Sequence, residues 1–459
     1  MKRILSCAAL SSACLLLGGC GFLSLLPPAG AQSPGIPAET AQAAQLCWSD
    51  TVPGTVYGAT ADTITLVTDD RQLFTFSTDG AAVTAPEGGV RAGYPVEVEI
   101  AGVPDSSAPT RASRVDISDF SGLTAAQEAA RLLLTMSVSD EVGQMFLTRC
   151  PTEGAAGMQS QYQFGGYVLY ADFFGPRSAD EVISDVQSCQ AASKIPMVIA
   201  VDEEGGPVNR VSLYGQFRSA PFASPQTLYA QGGFDAVTAD TREKCALLKA
   251  LGINVNLSPV CDVSTNASDF MYSRSFGQDA ELTSQYVQPV VGAMSGSGVG
   301  CVLKHFPGYG NNADTHTGVA VDDRPYSTFE DSDFLPFEAG LRAGAGAVLV
   351  CHNVVNCLDG ASPASLSAAV HDILRGDLGF GGVIITDDLN MDAIRDYSGG
   401  EAAAVLAVKA GNDMLCCTDC AGQYEAVLAA VQSGEISRER LDESVLRILE
   451  WKIDLGILA

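Results

Sequence analysis

The chain has 459 residues, room for more than one domain, and 47% of them are hydrophobic, so a large core can be buried. Its formal net charge of −28 argues against binding nucleic acid or an anionic membrane through a basic face, because phosphate recognition needs a field of the opposite sign. An acidic, exported, soluble enzyme fits that balance, and solubility alone accounts for much of the acidic excess.

The first residues read as an address. Lys2 and Arg3 precede an apolar run from Ile4 to Leu17, too short to remain as a spanning helix, so residues 1–19 are expected to be a secretion signal. The run ends on Leu17-Gly18-Gly19-Cys20, which resembles the bacterial lipobox. That resemblance implies a lipidated Cys20 as the first mature residue, an exported protein held to a membrane by its lipid, on an extracellular or periplasmic face. Of fourteen cysteines, Cys7 and Cys14 go with the signal and Cys20 with the lipid. The remaining odd number does not describe a complete disulfide framework. Cys245, Cys261, Cys301 and Cys351 sit in apolar runs and read as small buried hydrophobes. Cys417-x-x-Cys420 lacks the second pair or nearby histidine of a zinc site, so no metal and no cofactor is expected.

Residues 20–47, rich in Ala, Pro, Gly, Ser and Gln, read as a flexible tether. Over 48–118 the character changes. Stretches 63–67, 72–76 and 96–100 alternate or favour β-branched residues, with turn signals between them. This predicts a small all-β module, a barrel of five or six strands, acting as a spacer or a weak binding module. It holds no cluster of residues suited to chemistry.

From about residue 121 helical and apolar stretches alternate. A helix over 124–143 leads to the run 145–148; others follow at 166–170, 196–202, 255–260, 301–305, 347–352, 383–387 and 413–416. Helical periodicity lies between most of them, as at 180–193, 236–250, 281–294, 363–376 and 400–409. Eight buried strands, each followed by a helix, predict an α/β fold, a (β/α)₈ TIM-type barrel over 121–459. An open doubly wound sheet is the alternative, weakened by the absence of Gly-x-Gly-x-x-Gly after a strand.

In such barrels the active site lies at the C-terminal ends of the strands. Here those ends are polar: Asp202-Glu203-Glu204, Asp262 with Arg274 in the following loop, Lys304-His305, His352-Asn353 and Asp387-Asp388. One such end has a structural explanation more often than a catalytic one. Five on one rim suit a highly hydroxylated ligand, since each sugar hydroxyl wants a donor and an acceptor.

The segment Ile373-Leu-Arg-Gly-Asp-Leu-Gly-Phe-Gly-Gly-Val-Ile-Ile-Thr-Asp387-Asp-Leu-Asn390 resembles the signature of glycoside hydrolase family 3. Lys304-His-Phe-Pro-Gly-Tyr-Gly-Asn-Asn-Ala-Asp314-Thr-His316 resembles the motif of its β-N-acetylglucosaminidase branch. Val201-Asp-Glu-Glu-Gly-Gly-Pro-Val-Asn-Arg210, Ser258-Pro-Val-Cys-Asp-Val and Arg274-Ser-Phe-Gly277 also match, in family order from about 121 to 459. The resemblance implies Asp387 as nucleophile, His316 as general acid/base and Asp314 as the carboxylate that orients it. It implies Asp202, Arg274, Lys304 and His305 as sugar-hydroxyl contacts. His352 either contacts sugar at the same rim or packs beneath it. The acid/base loop departs from the family's commonest form in having Tyr309 where a histidine is frequent and a spacer one residue shorter before Asp314. The sequence ends soon after Trp451-Lys-Ile-Asp-Leu-Gly456, so the second domain of many members is not expected, and the acid/base must come from the barrel's own loop.

Retaining cleavage needs a nucleophile on one face of the sugar and a proton donor on the other. A histidine with an unperturbed pKa near ~6.5 can donate and then accept a proton near neutral pH. It also avoids another negative charge beside the nucleophile, which would let phosphate approach. The implied activity is a retaining exo-β-N-acetylhexosaminidase acting on terminal N-acetylhexosamine of glycans or peptidoglycan fragments. A phosphorylase with the same residues, a β-glucosidase and an inactive sugar-binding lipoprotein remain alternatives. Of the four histidines, His371 falls in a helix and reads as structural. Oligomeric state is not legible.

Overall fold

The computed structural model describes residues 51–458 apart from 88, 102–103, 105–106, 313–317 and 399–401. The expected signal, tether and Cys20 lie outside the described residues.

Six short strands form the first module: β1 (Thr51–Ala59), β2 (Thr63–Val67), β3 (Leu73–Ser77), β4 (Ala82–Thr84), β5 (Pro95–Ile100) and β6 (Thr110–Ile117). Alternation does the work here. In β2 and β5 every second side chain turns inward, so Ile64, Leu66, Val96, Val98 and Ile100 meet Phe74 and Phe76 in one core. The order is β3-β2-β1-β5-β6-β4, and β3 also pairs in parallel with β6, which closes five strands into a barrel with β4 beside β6.

The second unit of structure is the predicted eight-stranded barrel. Its strands are β7 (Phe146–Arg149), β8 (Gly166–Leu169), β9 (Val198–Val201), β10 (Val255–Asn256), β11 (Gly300–Phe306), β13 (Ala347–Val350), β15 (Val383–Thr386) and β16 (Leu415–Cys417). A small pair, β12 (Val321–Asp322) with β14 (Val354–Val355), stands at the C-terminal rim. The barrel strands pair in parallel in the order β15-β13-β11-β10-β9-β8-β7-β16. The ring closes where Ile385 bridges Met414 and Thr386 N–H donates to Met414 O at 3.0 Å. Most strands are buried along their whole length, as parallel strands covered on both faces must be.

Three local differences from the sequence reading have physical causes. The helix expected over 124–143 is two helices, Ala125–Leu134 and Val138–Gln144. Thr135 Oγ1 turns back to Leu132 O at 2.7 Å, and Ser137 Oγ caps the next helix by accepting from Asp140 N–H at 3.2 Å. Strand β10 is regular for only two residues before Ser258–Pro259, where proline removes a ladder donor, and resumes as a single bridge from Val260 to Lys304. The helix read at 236–250 begins earlier, at Pro225, and kinks at Gly232-Gly233.

The last helix, Arg438–Asp454, crosses the N-terminal ends of the strands and forms a floor. Its Lys452 Nζ donates to Gln144 Oε1 at 2.7 Å below β7, and Ser444 Oγ to Asp413 Oδ1 at 2.9 Å below β16. The Trp451 ring lies where a Cβ on Gly346, just before β13, would come within 2.6 Å. The β module docks on this side. Arg71 reaches Asp442 of the floor helix at 3.0 Å, Arg131 Nη1 donates to Thr55 Oγ1 at 3.0 Å, and Tyr94 meets Phe120 edge-on at 4.9 Å. The module therefore sits at the end of the barrel away from the mouth.

Candidate active site

At the mouth, charged side chains are buried and hold one another. Lys304 Nζ lies 2.6 Å from Asp202 Oδ1 and 2.7 Å from Glu204 Oε1. Arg274 grips the same Glu204 with two bonds, Nη2 to Oε1 at 2.7 Å and Nε to Oε2 at 3.1 Å. Burial alone would raise the Glu204 carboxyl, but Lys304 and Arg274 outweigh it and hold it well below the usual carboxylate range. In return, burial that would discharge Lys304 and Arg274 is overcome, for Lys304 by Asp202 and Glu204 and for Arg274 by Glu204 first, so both are raised and stay cationic. Glu203 does something else. Its carboxylate accepts the N–H groups of Arg210 and Val211 at 2.8 Å each and Ser212 at 3.1 Å, which fixes the loop after β9.

His305, joined to Lys304 by a cis peptide, completes the cluster. Its Nδ1 lies 2.7 Å from Asp262 Oδ2, and its Nε2 lies 3.3 Å from Arg274 Nη2. A carboxylate accepts and a guanidinium can only donate, so Nδ1 carries the proton and Nε2 accepts. Asp262 also accepts from the backbone N–H groups of His305 at 3.2 Å and Tyr309 at 2.8 Å. Tyr309, the departure from the family motif, is buried against His305 edge-on at 5.4 Å between centroids.

Asp387 follows β15 directly and is half-buried. Its N–H donates to Val350 O at 2.9 Å, and its Oδ1 accepts from Asp388 N–H at 2.9 Å. Asp388 turns away into the wall, where its carboxylate accepts from Asn390 N–H at 2.9 Å and from Thr418 N–H at 3.1 Å. It supports the turn. Burial raises the Tyr170 hydroxyl after β8 and the Cys416 thiol in β16, and the charges of Asp202, Asp387 and Asp388 add to the rise at both. Asp387 and Asp262 likewise both act on Cys351, whose thiol burial pushes up first.

The structure thus brings Asp202, Arg274, Lys304, His305 and Asp387 to one rim. It does not make His352 a sugar contact. That ring is fully buried, with Nε2 3.0 Å from Asp388 O and Nδ1 2.7 Å from Ser365 Oγ. The carbonyl requires a proton on Nε2, so His352 braces the turn that carries Asp387 and packs beneath the site. His371 is buried in its helix, with Nδ1 2.7 Å from Ser367 O. Asp314 and His316 lie outside the described residues. Sequence reasoning did not count Glu204 and Asp262 among the functional residues, although both stand at strand ends. Their signal was burial beside a basic partner, Arg274 and Lys304 for Glu204 and His305 for Asp262, which a linear sequence does not display. Cys416, Cys417 and Cys420 are buried free thiols, and among the described residues no group of three or more His, Cys, Asp or Glu is placed to hold a metal.

Comparison with known proteins agrees with this geometry. The model of the glycosyl hydrolase family 3 N terminal domain matches residues 137–451. A β-hexosaminidase of Xanthomonas oryzae pv. oryzae is 36% identical over 257 residues, 54% of this chain and 75% of that protein. A family 3 β-N-acetylglucosaminidase from Paenibacillus superposes with a TM-score of 0.65 at 28% identity, over 71% of this chain and 64% of that one, so this chain spans less than two thirds of that structure. A β-N-acetylhexosaminidase from Beutenbergia cavernae superposes with a TM-score of 0.62 at 28% identity, over 68% of this chain and 98% of that one. With the barrel, the carboxylate-rich rim and the family model in agreement, the chain belongs to glycosyl hydrolase family 3 and is a glycoside hydrolase.

Proposed function

We propose that the chain is a retaining exo-β-N-acetylhexosaminidase that releases terminal N-acetylhexosamine from glycans or peptidoglycan fragments. One observation carries the reading furthest: the Asp387 carboxylate stands after β15 on the rim that holds Asp202, Lys304, Arg274 and His305. A carboxylate fixed at a strand end can attack an anomeric carbon along a defined line. The glycosyl–Asp387 ester then needs a base to activate water, and His316, oriented by Asp314, fills both proton-transfer roles. The buried acceptors and donors of Asp202, Arg274, Lys304 and His305 suit sugar hydroxyls. The names of the β-hexosaminidase relatives support N-acetylhexosamine over glucose as the sugar.

Hydrolysis of an aryl N-acetyl-β-glucosaminide tests the reading. Asp387→Ala is expected to lower kcat by about 10⁴-fold or more, as loss of a covalent nucleophile does. Full activity in that variant would sink the mechanism. Running the assay with phosphate separates hydrolysis, which yields free sugar, from phosphorolysis, which yields sugar 1-phosphate. We also propose that lipidated Cys20 anchors the protein on the outer side of a membrane. Cys20→Ala is expected to move it from the membrane to the soluble fraction, and an unchanged distribution would refute the anchor.

A further inference from the structure

We propose that Arg324 is a positioning residue for the acid/base step, clamping the two stems of the segment that carries Asp314 and His316; this rests on the role given to His316 above. Arg324 follows β12, and its guanidinium spends its donors on both sides of that segment. Nη1 donates to Asp333 Oδ1 at 3.1 Å and Oδ2 at 3.0 Å. Nε donates to both oxygens of Asp322 at 3.0 Å, and Nη2 to Asp322 Oδ2 at 2.8 Å and Gly308 O at 3.4 Å. Its flat face covers the Phe329 ring at 4.5 Å. Both carboxylates are nearly fully buried.

The first stem, Gly308 to Asn312, lies against this clamp. Asn312 Nδ2 donates to Asp322 Oδ2 at 2.8 Å, which ties one stem to the other directly. Gly310, at φ 53°, has no room for a side chain: a Cβ there would lie 2.3 Å from Arg324 Cζ. The second stem is anchored as well. Ala320 O accepts from Val354 N–H at 2.8 Å, and Val321–Asp322 pairs with β14. Between Gly308 and Gly310, Tyr309 N–H reaches Asp262, the carboxylate that also holds His305. The clamp is thus continuous, through Asp262, with the cluster assigned to sugar binding. A single cation between two buried carboxylates is a poor way to stabilise a barrel, since apolar packing does that at least as well. Holding two stems in fixed register is what a forked, always-charged guanidinium does and an apolar side chain does not.

Leaving-group dependence and azide rescue read the acid/base step directly. An N-acetylglucosaminide with a poor leaving group needs the acid, and a dinitrophenyl glycoside does not. Azide can attack the anomeric carbon of the glycosyl–Asp387 ester, forming a C–N bond as the carboxylate departs, with no base required. Arg324→Ala is expected to lose about 10²-fold in kcat/KM on the poor leaving group while the dinitrophenyl substrate stays near the wild-type value, with azide raising turnover of the latter as glycosyl azide forms. Asn312→Ala, which removes one link, is expected to show the same pattern more weakly, and it carries the test if Arg324→Ala does not fold. His316→Ala is the reference. If it shows leaving-group dependence and azide rescue while the folded clamp variants keep the wild-type ratio, the clamp proposal is overturned. If His316→Ala itself lacks both signatures, the acid/base assignment falls and takes the proposal with it.

Discussion

At the floor of the barrel Asp413 is fully buried among Arg375, Arg447 at 3.1 Å and Arg440 at 3.6 Å, and it accepts from Ser444 Oγ at 2.9 Å and Ile384 N–H at 3.0 Å. At the mouth the balance is reversed: Asp202 and Glu204 face Lys304 and Arg274, and Asp262 faces His305, with Asp387 on the same rim. The floor surrounds one carboxylate with cations and ties it to helix and strand. The mouth keeps carboxylates in excess over cations. On the mechanism proposed above, a surplus of negative charge there would favour the positive charge that develops at an anomeric carbon as its bond breaks. The same residue types therefore serve fastening at one end and chemistry at the other.

The sharpest way to break that contrast is to remove the shared carboxylate of the mouth. Glu204→Ala leaves Arg274 and Lys304 buried without their common partner. It is expected to cost about 3–5 kcal/mol of stability and most of the activity, read by denaturant unfolding and kcat/KM. Asp413→Ala is expected to cost about 3 kcal/mol with kcat/KM of the folded fraction unchanged. Equal damage to activity from both variants would erase the distinction between the two ends.

The mouth was legible in part. Eight apolar runs announced the strands because parallel strands covered on both faces need continuous hydrophobic side chains, and the polar residues that end five of them marked the rim. The interruption of β10 was not legible as such, since Val255 to Val260 reads as one strand until a proline is placed in the ladder. Asp387 could be assigned from its motif. Glu204 could not, because its role depends on Arg274 and Lys304, 70 and 100 residues away in the sequence. His352 stayed open between two roles for the same reason: a histidine at a strand end looks the same whether its ring faces the ligand or Asp388 O.

Two smaller effects sharpen the picture of the floor. Burial lowers Lys452 from 10.5 to about 7. Between those values the unfolded chain binds more protons than the folded one, so this group makes stability rise with pH above 7, by about 1.4 kcal/mol per unit. Lys452→Met is expected to flatten that slope in melts taken from pH 7 to 9, and an unchanged slope would assign it elsewhere. Arg71→Ala breaks a partly exposed pair with Asp442 and is expected to cost less than about 1 kcal/mol. Its kcat/KM should equal wild type if the β module is a spacer, and a clear drop would give the module a part in turnover.

The floor helix also sets the order in which this molecule can assemble. The bond from Arg71 to Asp442 joins residues 371 apart, and Lys452 meets Gln144 across 308. Contacts so distant bring a loop-closure cost before any reward. Part of the seat of the β module, Phe120 and Arg131, directly follows it in the chain, whereas the bond from Arg71 waits for the last helix. The floor beneath Gly346 likewise stays open until Trp451 arrives. The underside of the barrel is thus sealed only after the strands that close its ring, at Ile385 and Met414, have been made.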